Sequence, residues 1–148
     1  MIKTVFKVLM FPYIALYRVI KWIFSINHEG IYTRKKFNGI TPKEFFYIYK
    51  NRVKNTGDYV GVYVLYNVDK DMYYVGQAKK LFHRINQHFT GRGNGDVYAD
   101  YKYNSRFLIN IMKLADSGYY DLDKFEKDMI KKYNAYNRGY NKTQGNGI

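Results

Sequence analysis

The apolar and polar positions divide the chain into a helical front part and a mixed remainder. The segment 1–25 is dominated by aliphatic and aromatic residues, and its basic side chains fall on one narrow stripe of a helical wheel. This pattern predicts a basic amphipathic helix over residues 2–25. Pro12 and the interrupting charges argue against a membrane span. The segment is not followed by a small-residue cleavage site, so we do not expect a secretory signal peptide. The helix could lie on an anionic membrane surface, pack on its own domain or pair with a second copy, and the pattern leaves these alternatives open.

A second helix is predicted from a capping signature. Residues 41–44 read Thr-Pro-Lys-Glu, which places a threonine before the helix, proline at its first position and glutamate at its third. We expect this helix over residues 42–54, ending before the Asn-Thr-Gly run at 55–57. The chain is therefore expected to consist of a basic helical extension, residues 1–57, and a second domain, residues 58–148.

The periodicity after residue 58 predicts a small domain of strands and helices. Residues 59–66 are rich in Val and Tyr, and a turn over 67–71 joins them to a second short strand over 72–76, which makes a hairpin. The later elements follow in order: a helix over 81–89, a glycine-rich loop over 90–96, a strand over 107–114, a helix over 122–133 with Asp121 or Asp123 near its start, and an irregular tail from Asn137.

Composition and charge narrow the chemistry. The chain has no cysteine, which excludes disulfides, thiolate nucleophiles and sulfur-ligated zinc and is consistent with a reducing, cytoplasmic location. The net charge of +13 indicates a polyanionic partner, either nucleic acid or the inner face of a membrane. Residues 1–57 hold eleven Lys/Arg against two Glu and contribute +9, so the front part is the more basic.

The second domain contains residues that could act together on a phosphate. Tyr63 and Tyr74 fall on the two strands of the predicted hairpin, within the triplets Gly-Val-Tyr and Tyr-Val-Gly. Arg84 and His88 are four residues apart and so share one face of the following helix. Glu126 follows on the last predicted helix. Taken singly, each position has an ordinary explanation, since hairpin tyrosines usually pack and helical charges are usually solvated.

The ordered set resembles the GIY-YIG nuclease superfamily. The resemblance covers residues 58–147 and continues to the triplet Gly-Tyr-Asn at 139–141. The departures are mild, because valine replaces isoleucine in both name-giving triplets. The resemblance implies an α/β fold of the α+β type, in which a small three-stranded antiparallel sheet is flanked by helices. In this chain that fold would be preceded by the N-terminal helices.

The family resemblance further implies a metal-dependent endonuclease acting on DNA. The catalytic roles carry over onto Tyr63, Tyr74, Arg84, His88, Glu126 and Asn141. Tyr63 would be a general base toward water, assisted by the metal, Arg84 and His88 as nearby positive or proton-accepting groups. Arg84 would hold the scissile phosphate, and Glu126 would bind one Mg²⁺ or Mn²⁺ ion. Tyr74 would donate a hydrogen bond to the water or the phosphate, and Asn141 would brace the site.

Substrate contacts are expected on the segments that flank the predicted catalytic helix. Candidate phosphate contacts are Lys79, Lys80, Lys102 and Arg106, and candidate base-stacking residues are Tyr98, Tyr101 and Tyr103. The alternative for the tyrosines is packing over the helix. RNA is the alternative substrate, and cutting both strands would require a homodimer or two visits. A different class of function also stays open: a nucleic-acid-binding or membrane-associated protein that uses a nuclease-like domain without catalysis.

Overall fold

The computed structural model describes residues 37–53 and 57–145 of the chain. The chain divides into two units, residues 1–37 and residues 38–148. The predicted amphipathic helix over residues 2–25 lies outside the described residues, as does residue 54, the predicted end of the second helix. Within the described ranges, no helix combines the length and the apolar character that crossing a bilayer requires.

A three-stranded antiparallel sheet forms the centre of the second unit, which confirms the predicted fold. Its strands are β1 (Gly61–Asn67), β2 (Met72–Ala78) and β3 (Phe107–Lys113), in the order β2-β1-β3. Every residue of the central strand β1 is buried. β2 is an edge strand, so its alternate backbone groups point away from the sheet and are available to other segments.

Four α-helices accompany the sheet in the described part of the chain: α1 (Pro42–Ile48), α2 (Leu81–Phe89), α3 (Gly95–Lys102) and α4 (Leu122–Tyr133). α1 begins with the predicted capping box and continues as a π-helical turn over Tyr49–Val53. α2 and α4 have the predicted bounds. α3 was not predicted, because its start lies in the glycine-rich stretch assigned to a loop. Asn94 caps it by accepting a hydrogen bond from the Val97 N–H at 3.0 Å.

α1 packs in the same hydrophobic core as the sheet. Phe45 is fully buried and stacks on Phe82 of α2 with ring centroids 5.7 Å apart. Just before α1, Ile40 exchanges backbone hydrogen bonds with Ile109 of β3 at 2.8 and 2.9 Å. The compact unit therefore begins upstream of the predicted boundary at residue 58, because the helix assigned to the extension buries an aromatic side chain in the domain.

The start of α2 is fixed by a carboxylate from outside the helix. Asp58 accepts hydrogen bonds from the backbone N–H groups of Phe82 and His83, both at 2.9 Å. These donors have no partner within the first helical turn, and the carboxylate lies at the positive end of the helix dipole. This anchor matters for the site because α2 carries two of the predicted catalytic residues.

Candidate active site

The sheet register brings two tyrosines to one face of the sheet. Tyr63 of β1 lies opposite Gly76 of β2, and Leu65 lies opposite Tyr74. The two tyrosines are therefore diagonal neighbours, with ring centroids 6.1 Å apart. A Cβ built on Gly76 would lie 2.4 Å from the Tyr63 hydroxyl oxygen. Glycine is required at this position because the phenol occupies the space that any side chain would need.

His88 of α2 is a buried partner of Tyr63. Its Nε2 lies 2.7 Å from the Tyr63 Oη, and its Nδ1 accepts the Asn94 backbone N–H at 2.9 Å. Burial, followed by the charge of Arg84, lowers the pKa of His88 to about 3, so the ring is neutral near pH 7. Because the Asn94 amide can only donate, the single ring proton must be on Nε2. His88 therefore donates its hydrogen bond to Tyr63.

This arrangement differs from the expectation that His88 would supply a positive or proton-accepting group. Burial removes the positive charge, and the backbone of Asn94 fixes the tautomer in which Nε2 cannot accept a proton from Tyr63. A donor at this position can still stabilise a Tyr63 phenolate, because hydrogen bonds to the charged form favour it.

Both phenols are protonated in the absence of further positive charge. Burial is the largest cause that raises the pKa of Tyr63 well above its ordinary value, and the hydrogen bond with Tyr74 raises it further. Burial also raises the pKa of Tyr74. The Arg84 guanidinium acts in the opposite direction on both hydroxyls, through its charge and through hydrogen bonds. The three side chains therefore meet in one place.

A glutamine on the same helix holds Arg84. The Arg84 Nη1 donates to the Gln87 Oε1 at 2.8 Å, and the Gln87 Nε2 lies 3.2 Å from the His83 Nε2. The guanidinium has five N–H donors, so this bond leaves most of them for other acceptors. Gln87 thus fixes the direction of a fork whose remaining donors can bind a phosphate.

The edge of β2 positions Asn141 and Glu126. Asn141 accepts the Val75 N–H at 2.9 Å and donates to the Val75 carbonyl at 2.8 Å. The Glu126 Oε1 accepts the Gln77 N–H at 3.1 Å, and its Oε2 accepts the Gln77 Nε2, also at 3.1 Å. Val75 and Gln77 are two residues apart, so their N–H groups both point away from β1. A backbone edge thus brings an amide from the tail and a buried carboxylate from α4 to the same side of the sheet.

These groups surround a polar cavity of about 270 Å³. It is lined by Tyr63, Tyr74, Gly76, Gln77, Arg84, Asn94, Glu126, Ile130, Asn141, Lys142 and Thr143. Five of the six predicted catalytic residues are among them, and the sixth, His88, stands behind Tyr63. A larger concavity of about 590 Å³ adjoins the start of β1 and the end of β3, but its lining contains none of these residues.

The cavity fits a single, largely hydrated cation. Among the described residues, no group of three or more His, Asp or Glu side chains is arranged to hold a metal ion. Glu126 is a hard oxygen ligand, only 7% exposed, and lines the polar cavity. Mg²⁺ usually keeps several waters and takes one or two carboxylates from the protein. The donor set therefore suits such an ion better than a metal enclosed by protein ligands.

The predicted nucleic-acid contacts do not line this cavity. Tyr101 packs against Phe89 with ring centroids 4.8 Å apart, which is the packing alternative for that residue. Arg106 forms an ion pair with Asp69. The others remain predictions: Lys79, Lys80, Lys102 and Tyr103 are exposed, and Tyr98 is partly buried.

The polar contacts of Gln77, Gln87 and Asn94 in the site were not predicted from the sequence. Two of them carry a positional signal, because Gln77 directly follows the Tyr-Val-Gly triplet and Gln87 lies one helical turn after Arg84. Asn94 acts on His88 through its backbone N–H, and no side-chain pattern reveals such a contact.

Comparison with known proteins gives the following similarities. A family model described as the GIY-YIG catalytic domain matches residues 59–141. Two solved structures are similar at 22% identity: a mutant of the catalytic domain of intron endonuclease I-TevI, and the catalytic domain of homing endonuclease I-TevI. They cover 60% and 57% of this chain and 98% of their own, with TM-scores of 0.47 and 0.44. No curated protein sequence matches this chain.

Proposed function

Because this chain belongs to the GIY-YIG family and its domain is an endonuclease of that type, we propose that it hydrolyses DNA phosphodiester bonds with a divalent metal ion bound at Glu126. One observation carries the proposal. Two phenols, a guanidinium, a carboxylate and an amide line one polar cavity of about 270 Å³. Phosphodiester hydrolysis requires these kinds of groups in one place, namely a proton acceptor, a phosphate-binding cation and a metal ligand.

Tyr63 is the general base in this proposal. Its deprotonated Oη accepts a proton from a water molecule as the water oxygen attacks phosphorus and the bond to the leaving oxygen breaks. The His88 N–H at 2.7 Å and the nearby Arg84 charge both favour the phenolate. Without such help a phenol whose pKa is raised by burial would be almost entirely protonated at pH 7.

Arg84 binds the scissile phosphate, and its charge stabilises the additional negative charge of the transition state. Gln87 keeps the guanidinium in place through the 2.8 Å bond to Nη1. Tyr74 donates a hydrogen bond from its hydroxyl to the water or the phosphate, and Asn141 braces the cavity through its two bonds to Val75. A divalent cation held by Glu126 would supply positive charge beside the phosphate and the leaving oxygen.

The test is nicking of a supercoiled plasmid with Mg²⁺ or Mn²⁺ and after chelation. Glu126→Ala and Arg84→Ala should each reduce the nicking rate at least about a hundredfold, since removing one stabilising group from a transition state has effects of this size. Arg84→Lys keeps the charge but loses the fork, so it should recover only part of the activity. Lys132→Ala removes an exposed charge elsewhere on α4 and is the matched control. Full activity of Glu126→Ala with unchanged metal dependence would overturn the proposal.

The nicking assay, combined with a gel-retardation assay for DNA binding, distinguishes cleavage from binding alone. A wild-type protein that retards DNA in a gel but leaves the plasmid intact at every metal concentration would fit the non-catalytic alternative. A matched RNA duplex, tested in parallel, shows whether cleavage depends on the sugar.

A further inference from the structure

We propose that Gln77 is a positioning residue for the Glu126 carboxylate, and that Asp123 sets the orientation of Gln77. This inference rests on the proposed role of Glu126 as the metal ligand. Neither Gln77 nor Asp123 is among the site residues predicted from the sequence.

Gln77 holds both oxygens of Glu126. Its backbone N–H donates to Oε1 and its side-chain Nε2 donates to Oε2, each at 3.1 Å. Two bonds from one residue to the two oxygens of one carboxylate fix the plane of that carboxylate as well as its position. Any residue except proline could supply the first bond, whereas the second needs a side-chain N–H donor that reaches Oε2. A carboxylate oxygen can accept more than one contact, so this grip is compatible with metal coordination.

Asp123 determines which end of the Gln77 amide faces Glu126. The Gln77 Nε2 also donates to the Asp123 Oδ1, so both hydrogens of its NH₂ group face carboxylates. A rotated amide would place its oxygen against two carboxylates that can only accept. Asp123 and Glu126 are three residues apart on α4, which brings both to the same side of the helix. The Asp123 N–H is itself held by the Asp121 carboxylate at 2.8 Å, in the first turn of α4.

The expected consequence is tighter cation binding at Glu126. Groups that orient a metal ligand usually change metal affinity or activity about 10–100-fold when they are removed. Without the Gln77 amide, Glu126 would lose one of the two Gln77 hydrogen bonds that orient it, so its carboxylate would be less well ordered before the cation binds. DNA affinity should change little, because Gln77 is not among the basic groups that would meet phosphates.

The experiment measures Mn²⁺ binding directly, from the free-ion signal in electron paramagnetic resonance, together with kcat and KM for plasmid nicking. Gln77→Leu, which removes both donors of the amide, should raise the half-saturating Mn²⁺ concentration about 10–100-fold and leave KM for DNA within about twofold. Asp123→Ala should weaken Mn²⁺ binding less, and Asp123→Asn, which keeps an acceptor, should stay within about threefold of wild type. Asp116→Asn, an exposed carboxylate outside the site, is the matched control.

A double variant tests whether Asp123 acts through Gln77. If it does, Asp123→Ala should have no further effect in the Gln77→Leu background. Fully additive effects would overturn the proposed order. Wild-type Mn²⁺ binding and kcat in Gln77→Leu, with only a lower melting temperature, would show that Gln77 is merely structural and would also overturn it. Glu126→Ala distinguishes failure of the proposed function from failure of this inference. If Glu126→Ala retains Mn²⁺ affinity, the proposed function fails. If Glu126→Ala loses Mn²⁺ affinity while Gln77→Leu keeps it, only the inference about Gln77 is refuted.

Discussion

The burial of His88 predicts how much the free energy of unfolding falls between pH 7 and pH 5. Its pKa falls from 6.5 in the unfolded chain to about 3 in the folded protein, chiefly because burial penalises the charged ring. The unfolded chain therefore takes up a proton first, so the stabilisation is present above pH 6.5 and is lost as the pH falls toward 3. One pKa unit corresponds to about 1.4 kcal/mol, which gives a loss of about 2 kcal/mol between pH 7 and pH 5.

The perturbation is His88→Asn, whose side-chain oxygen can still accept the Asn94 amide but which does not titrate. Urea denaturation of both proteins at pH 7, 6 and 5 gives the free energies of unfolding. The variant should have a lower free energy of unfolding than the wild type at pH 7. The difference should be about 2 kcal/mol smaller at pH 5, because only the wild type loses stability through the buried imidazole as the pH falls. His83→Asn replaces an exposed imidazole on the same helix and is the matched control. A deficit that stays constant with pH would refute the reasoning.

Three further predictions concern the site and its support. The nicking rate should rise with pH between pH 6 and pH 9, because burial raises the pKa of Tyr63 and the rate follows the phenolate fraction. A rate that does not change over this range would argue against Tyr63 as the base. Gly76→Ala should reduce nicking at least about tenfold, since its Cβ would lie 2.4 Å from the Tyr63 hydroxyl, whereas Gly95→Ala, with nothing within 4 Å, should not. Tyr140→Phe should lower the free energy of unfolding by about 1–3 kcal/mol, measured by urea denaturation, because its hydroxyl is the 2.7 Å acceptor for the buried Asn67 amide.

The local sequence predicted most of the elements, although not α3, and it supplied the catalytic candidates. β1 and β2 lie within two residues of the predicted strands, because runs rich in Val and Tyr between turn signals favour strands. α2 and α4 have the predicted bounds, because helical spacing and helix-end signals are local features of the sequence. The resemblance identified the six catalytic candidates, since it depends on the order of a few residues along the chain. Neither signal required knowledge of which segments touch.

The tertiary structure alone decided how those residues are held. The capping signature of α1 shows where the helix begins but not which core it enters, and the packing of Phe45 joins it to the sheet. The tautomer of His88 depends on a backbone N–H from the following loop, and the orientation of Glu126 depends on an edge of β2 that lies far from it in sequence. Hydrogen bonds between distant segments are set by the register of the sheet and the docking of helices, and a periodicity read along one segment contains no information about either.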